Sequence, residues 1–161
     1  MSYVEQHKNI IALNSFSKAY GLAGLRIGFA YTTATIAGYL NKLRRPFMIN
    51  ALSTVAAVAA LNDYGHLIAT QKIVRAEKNW LYDQLEELDI HYWHGEGNFI
   101  LFQAPYDNAE FTADMLRLGI MVRTTDVFGL PGCIRLTIGN HKANIYCTRA
   151  LKQIVKKNIP A

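Results

Sequence analysis

The sequence predicts a mixed fold, α/β over its first part and α+β over the remainder, and three observations predict it. Two short apolar runs, 9–14 (NIIALN) and 25–31 (LRIGFAY), flank a glycine-rich turn, as strands do. Apolar residues then recur at helical spacing through to Leu88. From Ile90 the period shortens to that of strands, and turn residues divide the apolar runs that follow.

The elements follow in order. Residues 9–14 are apolar without interruption, so a strand buried on both faces is expected. Residues 25–31 form a second strand after the turn. A short helix follows at 35–44, stopped by Pro46. Asn50 is placed to cap 51–62 (ALSTVAAVAALN), which is small and apolar on nearly every side, the character of a helix enclosed in something larger. Leu67, Val74, Leu81, Leu85 and Leu88 share one face of a long helix ending near Asp89, with Ile73 and Trp80 beside them. Strands at 90–93 and 98–103 flank the turn His94-Gly95-Glu96-Gly97. Asp107 and Glu110 make a capping-box pattern for a helix with the stripe Phe111, Met115 and Leu118, and Gly119 is its stop. Strands at 120–124 and 133–138 surround the loop 124–132 (TTDVFGLPG), and a last helix carries Cys147, Ala150, Leu151 and Ile154 on one face. Residues 64–161 therefore read as a self-consistent α+β unit, with helices covering one face of the strands. Residues 1–63 offer strands and helices without enough partners, so the chain reads as the later portion of a longer enzyme.

Composition narrows the function classes. Hydrophobic residues make up 51% of the 161 and charged residues 18%, enough for a core and outside the disordered range. No apolar run approaches the roughly 20 residues that span a bilayer. The polar start MSYVEQHKNI is unlike a secretory signal. Cys133 and Cys147, with no CxxC, suit a reducing cytoplasm. The net charge of +5 is dispersed along the chain, a solvated basic surface rather than a footprint for nucleic acid, so neither nucleic acid nor membrane is expected as a partner. His91 and His94 would point to opposite faces of a strand, so no shared metal is expected.

Chemistry concentrates in 14–28 (NSFSKAYGLAGLRIG). Ser15-x-x-Lys18 matches the nucleophile pattern of penicillin-binding enzymes, but the SDN-like and KTG-like elements which that chemistry needs are missing downstream. Gly21, Gly24 and Gly28 fit neither a dinucleotide fingerprint nor a P-loop. A surface lysine after a strand, with glycines making a turn, satisfies the spacing. So does a phosphate cradle, in which the Ser15 and Ser17 hydroxyls and the planar fork of Arg26 bind phosphate oxygens with Lys18 beside them.

The segment SFSKAYGLAGLRIG resembles the cofactor-lysine motif of fold-type-I aminotransferases that use pyridoxal 5'-phosphate, in particular the histidinol-phosphate aminotransferases. The likeness continues through 44–53 (RRPFMINALS), 119–123 (GIMVR) and 129–139 (GLPGCIRLTIG). It implies a remnant of the large cofactor-binding domain over 1–63 and a complete α+β small domain with an antiparallel sheet over 64–161. By this resemblance Lys18 would link covalently to the cofactor aldehyde, for which its amine must be neutral at the moment of attack, and would then move the substrate proton as base and acid. Ser15, Ser17 and Arg26 would hold the cofactor phosphate. Arg135 would receive the anionic group of the substrate, since an arginine midway through an apolar strand needs an anionic partner. Arg123 would help bind a substrate phosphate, although an exposed strand end also explains it.

The implied activity is amino-group transfer between histidinol phosphate, or a similar phosphorylated amine, and a 2-oxo acid, by a cytoplasmic homodimer. A threonine-phosphate decarboxylase would use the same residues, and a non-catalytic interaction domain would keep the motif as ancestry. Asn14 departs from the arginine that the family commonly carries there. The family's carboxylate at the pyridine nitrogen lies upstream of the lysine, so the chain alone is expected to be catalytically silent. It is also expected to self-associate through exposed apolar helix and strand edges.

Overall fold

A computed structural model describes residues 2–7 and 9–158. It divides into two compact units, Met1–Thr70 and Gln71–Ala161, the division falling inside a long helix.

The first unit opens with a short helix, α1 (Ser2–Gln6). β1 (Ala12–Ser15) pairs antiparallel with β2 (Gly28–Tyr31), Leu13 opposite Ala30 and Ser15 opposite Gly28. β1 is not buried on both faces as its apolar run predicts. It has one partner strand, and Ile11 and Leu13 are exposed, Leu13 by 82%. The second strand also starts later than residue 25. Ala23–Leu25 wind into a 3-10 turn and Arg26 takes a left-handed φ of 50°, so pairing resumes at Gly28. A side chain at Gly28 would meet backbone, because a Cβ there lies 2.7 Å from the Asn14 carbonyl oxygen. Phe16 is the buried anchor of the hairpin, its ring centroid 4.9 Å from Tyr20 and 5.2 Å from Phe29.

α2 (Ala34–Leu43) is capped by Thr33, whose hydroxyl accepts from the Ile36 N–H, and it ends ahead of Pro46. α3 (Ala51–Asn62) starts as predicted at Asn50, whose side-chain oxygen accepts from the Ser53 N–H at 2.8 Å. Ser53 and Ala57 are its buried residues, while Leu52, Val55 and Val58 are exposed, as are Phe47, Met48 and Ile49 before it. α4 (Tyr64–Glu86) begins in this unit and continues into the next. It stops short of Asp89, which instead turns the chain with a φ of 53°.

The second unit is built on four antiparallel strands in the spatial order β3 (Tyr92–Trp93), β4 (Phe99–Gln103), β6 (Cys133–Thr137), β5 (Arg123–Thr124). The edge strands β3 and β5 are shorter than the predicted 90–93 and 120–124, because each has a neighbour on one side only and pairing ends where that neighbour's chain leaves. α5 (Asn108–Arg117) is capped by Asp107, which accepts from the Ala109 and Glu110 N–H groups at 3.0 Å, and Gly119 follows it with a φ of 79°. α6 (His141–Asn158) closes the described chain.

Side chains alternate along each strand, and this sorts the sheet into two faces. Ile100, Phe102, Ile134 and Leu136 are buried in one core with Leu81 and Leu85 of α4, Phe111 and Met115 of α5, and Leu151 and Ile154 of α6. Full burial of each such side chain stabilises by ~1.5–3 kcal/mol. The opposite face carries Trp93, Leu101, Arg135 and Arg123, a single row across all four strands. Helices α4 and α6 are tied by polar contacts: buried Asn144 donates to Glu77 at 2.8 Å, and the Lys152 amine donates to Gln84 and Glu87 at 2.8 and 2.7 Å. His91 lies edge-on to Trp93 and His94 edge-on to Tyr82, so each imidazole packs on an aromatic ring.

Gly28→Ala should weaken the first unit by about 1–3 kcal/mol, since the added methyl forces paired backbone apart. The measurement is amide hydrogen exchange across β1 and β2, which should accelerate. Gly24→Ala should leave it unchanged, because no atom lies within 4 Å of the new Cβ. Burial pushes the Cys147 thiol up to about 11, so its reactive thiolate is scarce at mildly alkaline pH. Ellman's reagent should therefore spare Cys147 in the folded chain and modify it after denaturation.

Candidate functional site

The hairpin of β1 and β2 holds four of the predicted site residues, Ser15 at the end of β1 and Ser17, Lys18 and Arg26 in the turn. The Phe16 N–H donates to the Ile27 carbonyl at 3.2 Å, and the Leu22 N–H donates to the Phe16 carbonyl at 2.9 Å, closing the loop at its neck. Inside it, the Gly21 N–H donates to the Lys18 carbonyl at 2.9 Å, with Gly21 at a left-handed φ of 71°. The backbone of Lys18 is thus fixed at the head of a tight turn, while its side chain is exposed. Among the described residues it makes no ion pair.

The hydroxyls and the guanidinium sit at the same end of the hairpin. Ser15 is opposite Gly28, and Ser17 follows the Phe16–Ile27 bond. Ser15 Oγ accepts from the Ser17 N–H at 3.1 Å, which leaves its own O–H free to donate. Asn14, the departure from the family pattern, turns its amide oxygen back to accept from the Ser15 N–H at 2.8 Å. Arg26 is exposed and donates through Nη1 to the Ala23 carbonyl at 2.9 Å, and among the described residues its other donors make no hydrogen bond. An exposed primary amine, two hydroxyls and a guanidinium with donors to spare fit a phosphorylated aldehyde: the amine suits the carbonyl carbon and the rest suit the phosphate oxygens.

The second unit carries the other two residues, and it places them directly opposite one another. Arg135 lies midway along β6, facing away from the core, with Leu101 on one side and Arg123 on the other. Directly opposed residues in an antiparallel pair have Cβ atoms about 5 Å apart, where like charges repel. Neither arginine has a carboxylate partner among the described ion pairs. Each lies over a ring instead, Arg135 5.6 Å from the centroid of Phe99 and Arg123 5.0 Å from that of Phe128. Arg135 Nε is buried without a hydrogen-bond partner. Two facing cations, one with an orphaned donor, form a surface that an anion would satisfy.

Sequence reasoning missed Ser53. Its buried hydroxyl donates to the Leu25 carbonyl at 2.9 Å, attaching α3 to the turn that carries Arg26. The contact joins residues 28 apart, and the sole hint in the sequence is the hydroxyl pair Ser53-Thr54 interrupting an apolar helix.

The chain belongs to the aminotransferase class I and II family, whose model matches residues 1–154. Within that class it is similar to the histidinol-phosphate aminotransferase of Moorella thermoacetica, 40% identical over 156 residues that cover 96% of this chain and 40% of the relative. Solved structures share its fold, among them two histidinol-phosphate aminotransferases from bacteria. The histidinol-phosphate aminotransferase from Clostridium acetobutylicum matches with a TM-score of 0.91 at 21% identity, over 97% of this chain and 48% of that one. The histidinol-phosphate aminotransferase from Sinorhizobium meliloti, solved in complex with pyridoxal-5'-phosphate, matches with a TM-score of 0.81 at 26% identity, over 93% and 42%. The chain spans less than half the length of each of these proteins.

Replacing Arg123 by Gln should relieve the repulsion across β5 and β6. Because Arg123 is exposed, solvent screening limits the gain to about 0.5 kcal/mol. Thermal unfolding at low ionic strength should show the higher midpoint, and molar salt should erase the difference.

Proposed function

We propose that this chain is the lysine-bearing part of a pyridoxal-phosphate aminotransferase that moves an amino group between histidinol phosphate, or a similar phosphorylated amine, and a 2-oxo acid. The observation that carries the reading is the exposed Lys18 in a hydrogen-bonded turn whose neck presents Ser15, Ser17 and Arg26. The similarity to histidinol-phosphate aminotransferases supports the choice of amine.

When bound, the cofactor supplies a ring that withdraws electrons from the carbon bearing the amino group. The residues of this chain do the rest. Ser15 and Ser17 would donate their O–H groups to the cofactor phosphate, and Arg26 would donate its remaining N–H groups to the same oxygens. Lys18 would hold the aldehyde carbon through its amine, the carbonyl oxygen leaving as water. With a substrate amine in its place, the freed Lys18 amine would take the proton from the substrate's Cα and return it to the former aldehyde carbon, across the intervening nitrogen. Arg135 binds the anionic group of the substrate and Arg123 a substrate phosphate, the orphaned Arg135 Nε gaining the acceptor it lacks.

In this reading residues 1–63 belong to the large cofactor domain and 64–161 form the small domain. Turnover needs the portion of the relatives' length that this chain does not span, so the chain alone is silent. Cytoplasmic residence agrees with two buried free thiols. Association with a second copy is supported by the exposed Phe47, Met48, Leu52 and Val55.

Incubation with pyridoxal phosphate, borohydride reduction and peptide mass spectrometry should place the reduced adduct on Lys18, and Lys18→Ala should abolish it. Label spread evenly over surface lysines would overturn the assignment. Adding the N-terminal portion of the Moorella relative should restore transamination. Carbon dioxide released from a phosphorylated amino acid would instead indicate decarboxylation.

A further inference from the structure

We propose that Ser53 is a positioning residue for the phosphate grip, its hydroxyl holding the Leu25–Arg26 peptide so that Arg26 stays left-handed. The proposal rests on the reading that Arg26 binds the cofactor phosphate.

Arg26 has a φ of 50° and a ψ of 47°. A residue with a Cβ is disfavoured there and remains only where its surroundings over-determine the backbone. The surroundings here are specific. Before Arg26, the Leu25 N–H donates to the Leu22 carbonyl at 3.1 Å, and the Leu25 carbonyl accepts from Ser53 Oγ at 2.9 Å. After it, the Ile27 carbonyl accepts from the Phe16 N–H at 3.2 Å. Rotation at Arg26 is therefore caught between one contact made by the hairpin itself and one made by α3.

Ser53 is suited to this task because it cannot move. It is 1% exposed, and its N–H is held at 2.8 Å by the capping oxygen of Asn50. Its neighbour Thr54 shows what a helical hydroxyl ordinarily does, donating back to the carbonyl four residues earlier, that of Asn50, at 3.2 Å. Ser53 commits its proton to the turn instead. The sequence of supports thus runs from the Asn50 cap to Ser53, to the Leu25 carbonyl, to the backbone of Arg26. Each of these contacts lies within the chain, and the last of them reaches Arg26, so Ser53 acts through Arg26.

The test uses the full chain and Ser53→Ala, which removes one hydroxyl and favours helix. Backbone NMR couplings and shifts should show Arg26 leaving the left-handed region, with circular dichroism confirming that the helices persist. Affinity for pyridoxal phosphate, read from absorbance of the Lys18 adduct, should fall about five- to tenfold, as expected for one lost hydrogen bond. Affinity for pyridoxal, which has no phosphate, should stay constant. Ser53→Thr should restore both readouts. In an Arg26→Gly background, where the left-handed backbone is unstrained, Ser53→Ala should have no further effect on pyridoxal phosphate.

An unchanged Arg26 φ, an equal loss for both aldehydes, or loss of helix in Ser53→Ala would each overturn the proposal and leave Ser53 a structural contact. Failure of the cofactor reading shows separately. In that case Arg26→Ala leaves the preference for the phosphorylated aldehyde unaltered, and the NMR measurement on Ser53→Ala still decides whether Ser53 positions Arg26.

Discussion

Everything in the first unit that bears on chemistry depends on how closely the backbone of Gly28 approaches the Asn14 carbonyl. The approach leaves no room for a Cβ, and it sets the register that places Ser15 opposite Gly28. With that register fixed, the chain between the strands must reverse over residues 16–27, and the Phe16–Ile27 and Leu22–Phe16 hydrogen bonds hold it closed. The left-handed Arg26 costs about 1–2 kcal/mol in this loop. Hydrogen bonds that each contribute about 1 kcal/mol net, together with the buried ring of Phe16, offset it. An exposed lysine at the head of so constrained a turn gains a definite backbone station without losing the freedom of its own side chain.

The second unit solves a different problem. Its helices all pack on one face of the sheet, where Ile100, Phe102, Ile134 and Leu136 meet the apolar stripes of α4, α5 and α6. The other face carries Trp93, Leu101, Arg135 and Arg123, and there the register sets two guanidinium groups side by side. A core of this size tolerates a repulsion of a fraction of a kcal/mol. The unfavourable pair is thus an affordable feature of the fold, and it has a use as soon as an anion is present.

Local chemistry was legible in the sequence and distant chemistry was not. The caps at Asn50 and Asp107, the stop at Gly119 and the helical stripe through Leu81 and Leu85 each rest on residues within a turn or two of one another, and each has the predicted place. Strand ends were misjudged for a physical reason. Apolar character marks where a strand can be buried, whereas pairing marks where one exists, and Arg26 breaks the pairing that the run LRIGFAY suggests. The lysine motif was readable because its residues are contiguous. The facing of Arg123 and Arg135 was not, since register depends on how strands far apart in the chain are brought together. Ser53 was hidden for the same reason: its meaning lies in a carbonyl 28 residues away.

The partners of the three arginines bear on binding. The described ion pairs of lysine and arginine are Arg117 with Asp114 and Lys152 with Glu87. The site arginines have none. Arg26 rests on a carbonyl, while Arg123 and Arg135 rest on the faces of Phe128 and Phe99. Carbonyl dipoles and aromatic faces orient a guanidinium without cancelling its charge, whereas a carboxylate would occupy its fork and compete with any incoming phosphate. The forks of these three arginines therefore keep N–H groups with which an incoming anion would pair. A net charge of +5 spread along the chain does not reveal this, whereas the carbonyl and the two rings beneath these guanidinium groups do.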